Sequence, residues 1–326
     1  MSVPQPVSRT ASELGESPLW HARSNSLLWV DITGRRLHCL AAGSGEQRSW
    51  PLPEEPGCLG LVAGGNTSPQ ANERFPAEVV LALRSGFHLF RLHDRMLIRL
   101  TDSLFDTGRY RFNDGKVDPA GRFWAGSLVE KTEATKATEA AEAGAGLYCL
   151  DHGQARAITG AGATVSPWRD WGVRTSNGLA FSPDGRTMYH SDTPAHVVYA
   201  YDFDAASGSI DNRRQWWHAD ADRTAPDYGG RPDGAAVDVE GCYWTAQYEG
   251  ARVLQLSPAG EVLRAITVPA RCPTMVAFGG DDLKTLYITS ARQGRSAAEL
   301  QAWPSSGFVF AVPVTVAGLP ANEYRR

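Results

Sequence analysis

One unit recurs along the chain and limits its fold more than any other feature. A turn containing Gly, Asn or Asp is followed by a short β-rich run with an aromatic. It occurs as "SNSLLWVD" (24–31), "FPAEVVLAL" (75–83), "DPAGRFWAG" (118–126), "SPDGRTMYHSD" (182–192), "DVEGCYWTAQ" (238–247) and "GDDLKTLYITSA" (280–291). Six copies in 326 residues put the period at about 54 residues, near the length of known propeller-blade repeats. Apolar residues precede the turns as well, as in "NGLAFSPDG" and "DGAAVDVEG", so each unit reads as strand, tight turn, strand. The runs "GLYCLD", "HVVYAYDFD" and "ARVLQLSP" supply third and fourth strands. Six units of four strands predict an all-β, six-bladed β-propeller, one domain over 1–326. A pair of sandwiches or a solenoid fits that count less well. Helical composition is confined to "EKTEATKATEAAEAGAG" (130–146), and "GGNTSPQANERFP" (64–76) reads as a surface loop.

Charge and cysteine usage exclude several function classes. The net charge of −4 leaves no electrostatic footprint for nucleic acid or an anionic membrane, and no apolar run nears the roughly 20 residues of a membrane span. The N-terminus "MSVPQPVSRT" lacks the basic-then-apolar shape of a signal peptide. Five scattered cysteines without a CxxC pair read as reduced, buried thiols of a cytoplasmic protein.

Three motifs punctuate the repeats: "RFNDG" at 111–115, "SNG" at 176–178 and "PDG" at 232–234. Asn113, Asn177 and Asp233 each lie eight residues before the glycine of the next hairpin turn, Gly121, Gly185 and Gly241. One such motif alone is an ordinary turn signal. Three in register predict one equivalent position at the start of three innermost strands, where oxygen-bearing side chains converge on the axis. Glu16, in "ELGESPLW", precedes the first hairpin by a comparable distance; by itself it reads as an edge residue. Asp114 reads equally as a supporting residue or a turn residue. Carboxylate and amide oxygens without His or Cys suit a hard cation. The eight histidines form no HxH or HExxH spacing, and GxSxG, GxxxxGK and GxGxxG are absent, which removes serine-nucleophile, P-loop and dinucleotide readings. Trp29, Trp124 and Trp244 recur at one blade position and read as core.

In order, "GESPLW", "SNSLLWVD", "RFNDGKVDPAGRFWAG", "SNGLAFSPDGRTMY", "PDGAAVDVEG" and "PTMVAFGG…LYITSAR" cover residues 13 to 292. They resemble the family of regucalcin (senescence marker protein), gluconolactonase and luciferin-regenerating enzyme. The resemblance implies a propeller holding one divalent cation (Ca2+, Zn2+, Mn2+ or Fe2+) in its central cup, and hydrolysis of sugar lactones. It implies metal ligands at Glu16, Asn177 and Asp233, and substrate contacts from Arg111 and Asn113. An acidic pocket residue of some members falls on Lys131 here, and the alanine-rich tract after it is a further departure. The expected protein is a carboxylic ester hydrolase acting on an aldonolactone, with Asp233 as general base, as a monomer or weak homodimer. Competing readings are a metal-dependent phosphotriesterase and a non-catalytic propeller of NHL or WD type that binds a protein partner. For the segment 130–146, which emerges on the cup face, a short helical lid and an idle surface insertion are equal readings.

Overall fold

The computed structural model describes residues 3–64, 75–130, 144–159 and 172–326. Its strands form six antiparallel sheets arranged as a six-bladed propeller. Blade I runs outward through Gly15–His21, Ser26–Asp31, Arg36–Ala41 and Glu46–Pro51. The first strands of blades II to VI are Pro56–Val62, Tyr110–Val117, Ser176–Phe181, Arg231–Val237 and Cys272–Gly279. Neighbouring first strands touch one another in a ring, so they line the axis. The six runs identified in the sequence are the second strands, as the hairpin reading expected.

The recurring D-x-x-G-x-x-W pattern has a direct physical cause. Asp118 Oδ2 and Asp238 Oδ2 accept from the indole nitrogens of Trp124 and Trp244 at 2.9 and 2.8 Å. Their Oδ1 atoms accept the backbone N–H groups of Ala120, Arg122, Glu240 and Cys242. One buried carboxylate therefore closes the turn and anchors the core tryptophan beyond it. Gly121 and Gly241 complete these turns in left-handed backbone at φ 91° and 83°, a region other residues enter at a cost. Trp29, Trp124 and Trp244 are fully buried, and all five cysteines are free and buried.

Ring closure was not legible in the repeats. Blade VI takes three strands from the end of the chain, Cys272–Gly279, Thr285–Ala291 and Phe310–Pro313. Its fourth is the N-terminal Gln5–Pro6, paired antiparallel with Phe310 and Ala311. Glu323–Tyr324 adds a parallel pairing to Leu61 and Val62 of blade II. The helix Ala297–Ala302 was also missed; Ser296 caps it by accepting from the Glu299 N–H at 3.2 Å, a capping-box spacing. Lys131 and most of the segment 130–146 lie outside the described residues, as does most of the expected loop at 64–76. Among the described residues no helix is long and apolar enough to cross a membrane.

Candidate active site

Every first strand carries one residue more than its partner near its start. The shift falls between Glu16 and Leu19, Pro56 and Cys58, Phe112 and Gly115, Asn177 and Ala180, Pro232 and Ala235, and Pro273 and Val276. A β-bulge bends a strand and re-aims its side chains, and here six of them ring the axis on one face. The expectation of a single equivalent position needs correction. Asn113 and Asp233 are the first unpaired residues of their bulges, whereas Glu16 and Asn177 are the last paired residues before theirs. The reason lies in the next residue: Ser17 (φ 51°) and Gly178 (φ 59°) are left-handed and open the bulge one position later. Blades I and IV, opposite each other in the ring, thus share one register, and blades III and V share another.

The five polar residues are brought together and buried: Glu16, Asn113, Asp114, Asn177 and Asp233 are 4–7% exposed. Arg111 Nη1 donates to Asn113 Oδ1 and to the Phe112 carbonyl, both at 2.9 Å. Asn113 Nδ2 donates to Asn177 Oδ1 at 2.7 Å and to the Ser176 carbonyl at 2.9 Å. Asn177 Nδ2 in turn donates to Thr193 Oγ1 at 2.7 Å, and Thr193 donates to the Pro232 carbonyl at 2.8 Å. Glu130 lies beside Arg111 at 3.7 Å and pairs with Arg84 at 2.8 Å. Asp114 points away from this line. Its carboxylate accepts the N–H of Gly115 at 2.7 Å and of Leu179 in blade IV at 2.9 Å, so it braces two blades. Ser17 Oγ does the same between blades I and II through the Leu59 N–H at 3.0 Å.

Electrostatics set Glu16 and Asp233 apart. Burial, and then the neighbouring charges of Asp233 and Asp114, hold the Glu16 carboxyl well above the usual range. Burial, and then Asp114, does the same for Asp233. Asp114 is pushed up to about 6 by burial, against the Lys116 ammonium and its backbone donors. Asp233 Oδ1 is buried with no hydrogen-bond partner. Among the described residues no three His, Cys, Asp or Glu side chains gather as a ligand set, so any cation here would need an amide oxygen beside the two carboxylates. Asn113 Oδ1 already receives Arg111, whereas Asn177 Oδ1 receives one bond, from Asn113, and has a second lone pair. An all-oxygen donor set with an orphaned carboxylate oxygen fits a hard divalent cation.

Two further residues join the site that the sequence reading passed over. Thr193 holds Asn177, and nothing in its local sequence marks it. Arg231 had a signal: it lies ten residues before Gly241, as Arg111 lies ten before Gly121. The register confirms the equivalence, since Arg111 pairs with Leu128 and Arg231 with Tyr248, each one residue before Phe112 and Pro232. On the opposite face, Lys116 crosses from blade III to donate to the Ala235 carbonyl of blade V at 2.7 Å. Beyond it lies a cavity of about 260 Å³ lined by Trp20, Phe181 and Phe278 and capped by Leu319 to Asn322. Its lining is mostly apolar and includes Ser17 and Gly115, each next in the chain to a residue of the polar cluster, but none of the convergent residues themselves.

Fold and site together define a six-bladed β-propeller with a buried, acidic, arginine-flanked cluster at one end of its axis. The SMP-30/Gluconolactonase/LRE-like region matches residues 14–292. The chain belongs to this family. It is 46% identical to the 6-deoxy-6-sulfogluconolactonase of Pseudomonas putida, over 96% of this chain and 95% of that one. It is 31% identical to regucalcin of Gallus gallus, over 95% of this chain and 94% of that one. Among solved structures, a calcium-binding protein, regucalcin, from Agrobacterium tumefaciens superposes with a TM-score of 0.84 at 24% identity, covering 100% of this chain and 98% of that one.

Proposed function

We propose that this chain is a metal-dependent hydrolase that opens a sugar lactone, an aldonolactone, to the sugar acid. Glu16, Asn177 and Asp233 are its cation ligands, Asp233 is its general base, and Arg111 and Asn113 face the substrate. The observation that carries the reading is the Asp233 carboxylate, buried, raised in pKa and left with an unpartnered oxygen. Buried carboxylates without partners are costly, and a chain keeps two of them together where function needs them. Family membership and a relative whose name is that of a lactonase support the ester-hydrolase reading.

A divalent cation held by this set supplies Lewis acidity toward the lactone carbonyl and keeps both carboxyl groups ionised. Asp233 takes a proton from the attacking water as the water oxygen bonds to the carbonyl carbon. The ring C–O bond then breaks, and the alkoxide leaves with the proton that Asp233 returns. Arg111 presents donors fixed by the Phe112 and Asn113 oxygens, which orient the substrate's oxygens by charge-assisted hydrogen bonds. The test strips the protein with a chelator and restores Ca2+, Mn2+ or Zn2+. Acid release is then followed from glucono-1,5-lactone and from a phosphotriester. Lactone turnover that returns with metal supports the proposal; metal-independent turnover, or turnover of the phosphotriester alone, overturns it.

A further inference from the structure

The axis of the propeller divides at Lys116. Toward the starts of the first strands lie Glu16, Asn113, Asp114, Asn177 and Asp233. Toward their ends, Val117, Phe181, Val237 and Phe278 line the cavity of about 260 Å³. Lys116 spans the ring between the two, from blade III to the Ala235 carbonyl of blade V at 2.7 Å. That carbonyl lies two residues past Asp233 and just before Ala236 and Val237 of the cavity lining, so the ammonium sits at the inner end of the cavity. Lys116 is the one charged residue of the described lining. The other polar side chains there are engaged. Ser17 Oγ accepts from the Leu59 N–H at 3.0 Å, Ser182 Oγ donates to Asp184 at 2.6 Å, and Asn322 Nδ2 donates to the Val117 carbonyl at 3.1 Å.

The surroundings of Lys116 do not match its charge. An ammonium has three N–H donors, and the Ala235 carbonyl takes one. The carboxylate of Asp114, two residues back on the strand, spends its oxygens on the N–H groups of Gly115 and Leu179. Burial pulls the lysine pKa below its usual value, opposed by the Asp114 charge. An ammonium taken from water with most of its donors unused is costly, and an anion brought beside it offsets that cost. Lys116 is only partly buried, and the surface it shows belongs to the cavity it lines. At the outer end a single stretch outside the sheets, 319–322, covers the cavity. It is strung between the Gly318 N–H on the Leu283 carbonyl and the Asn322 amide on Val117. An apolar cavity of roughly 150 Å³ holds benzene, so this one has room for about ten non-hydrogen atoms.

We infer that this cavity is a binding site for a small carboxylate with an apolar body, a short-chain or phenyl-substituted acid. Its head meets the Lys116 ammonium, and its body lies among Trp20, Phe181 and Phe278, toward residues 319–322. The N–H groups that Ala235 leaves unused make charge-assisted bonds to the carboxylate oxygens. A sugar acid would bring its hydroxyls against apolar side chains, at a cost, so the ligand differs in kind from the substrate of the polar cluster. The site is independent of the chemistry of that cluster.

The experiment uses the full chain with Ca2+ present and measures calorimetric binding of hexanoate, phenylacetate and hexan-1-ol to the wild type, Lys116→Met and Ala277→Leu. The wild type is expected to bind at least one of the two acids about 10-fold or more tightly than the alcohol, the scale of hydrogen bonds to a charged group. Lys116→Met keeps the length of the side chain and removes the ammonium, so acid binding should fall to the level of the alcohol. Ala277→Leu keeps Lys116 and fills part of the cavity with a larger side chain, and it should weaken acid and alcohol alike, on the order of 10-fold. In the wild type the methyl resonance of Met275, in the lining, should move with the bound acid, a readout that needs neither variant to fold. Acid binding no tighter than that of the alcohol overturns the site. So does acid binding that survives Ala277→Leu unchanged or leaves Met275 unmoved, since the carboxylate then sits elsewhere, as on the cation of the polar cluster.

Discussion

Asn113 Nδ2 donates to Asn177 Oδ1 across the boundary between blades III and IV at 2.7 Å. This bond joins the two halves of the proposed site, because Asn113 also receives Arg111 while Asn177 leans on Thr193. With Nδ2 spent on Thr193, the Asn177 amide cannot rotate without breaking bonds at both ends. Its Oδ1 has two lone pairs, and Asn113 uses one. The other is free to meet a cation in a fixed direction.

Thr193 is therefore expected to govern cation affinity without touching the cation. Thr193→Val keeps the shape and removes the hydroxyl, and it should weaken divalent cation binding about 10- to 100-fold, as losses of outer-shell partners do. Thr193→Ser should restore most of it. Equilibrium dialysis against Mn2+ measures both variants. Unchanged affinity in Thr193→Val would remove Thr193 from the site.

Asp233→Ala should abolish cation binding and lactone turnover together. It should also stabilise the metal-free protein, because it removes a buried carboxylate that repels Glu16 and lies near Asp114. The expected gain is on the order of 1 kcal/mol, seen as a melting temperature roughly 1–2 °C higher. Full metal content and turnover in this variant would end the ligand assignment.

Arg111→Ala should divide the site differently. Arg111 reaches Asn177 only through Asn113, so metal content at saturating cation should stay at the wild-type level. Lactone kcat/KM should fall on the order of 100-fold, the scale of losing a charge-assisted contact. Loss of bound metal would make Arg111 a support of the cup rather than a substrate contact.

How far the sequence could be read depended on whether its signals were local. The six hairpins were legible because turn chemistry and the buried Asp–Trp bond repeat within a few residues, as at Asp118 and Trp124. Convergence of Asn113, Asn177 and Asp233 was legible from spacing. Their exact register was not, since it turns on the left-handed backbone at Gly178 and Ser17, and Ser17 carries no sequence mark of it. The closure by Gln5–Pro6 rests on a two-residue strand paired some 300 positions away, which leaves no periodicity to detect. Thr193 acts through a contact between blades. Arg231 differs from these, for its spacing from Gly241 was in plain view.

The last prediction concerns acid stability and His38. Its imidazole is buried, stacked on Trp29 at 5.0 Å, with Nδ1 2.6 Å from Ser49 Oγ and Nε2 without a hydrogen-bond partner. Burial lowers its pKa from 6.5 to about 4, only partly opposed by the Asp31 charge. Between those values the unfolded chain binds a proton that the folded chain refuses, so the His38 contribution to stability is full above pH 6.5 and is lost as pH falls toward 4. Asp114 acts in the opposite sense: its pKa rises from 3.8 to about 6 on folding, so over that span the folded state holds the extra proton and gains stability as pH falls. Total stability therefore mixes the two signs, and a difference is needed to isolate His38. His38→Gln offers Ser49 an uncharged partner of similar reach and removes the titration. Urea unfolding at several pH values from 7.5 to 4.5 should show the wild type losing stability relative to the variant by about 1.4 kcal/mol per pH unit once below pH 6.5. Parallel curves would mean that His38 takes up its proton in the folded protein as readily as in the unfolded chain.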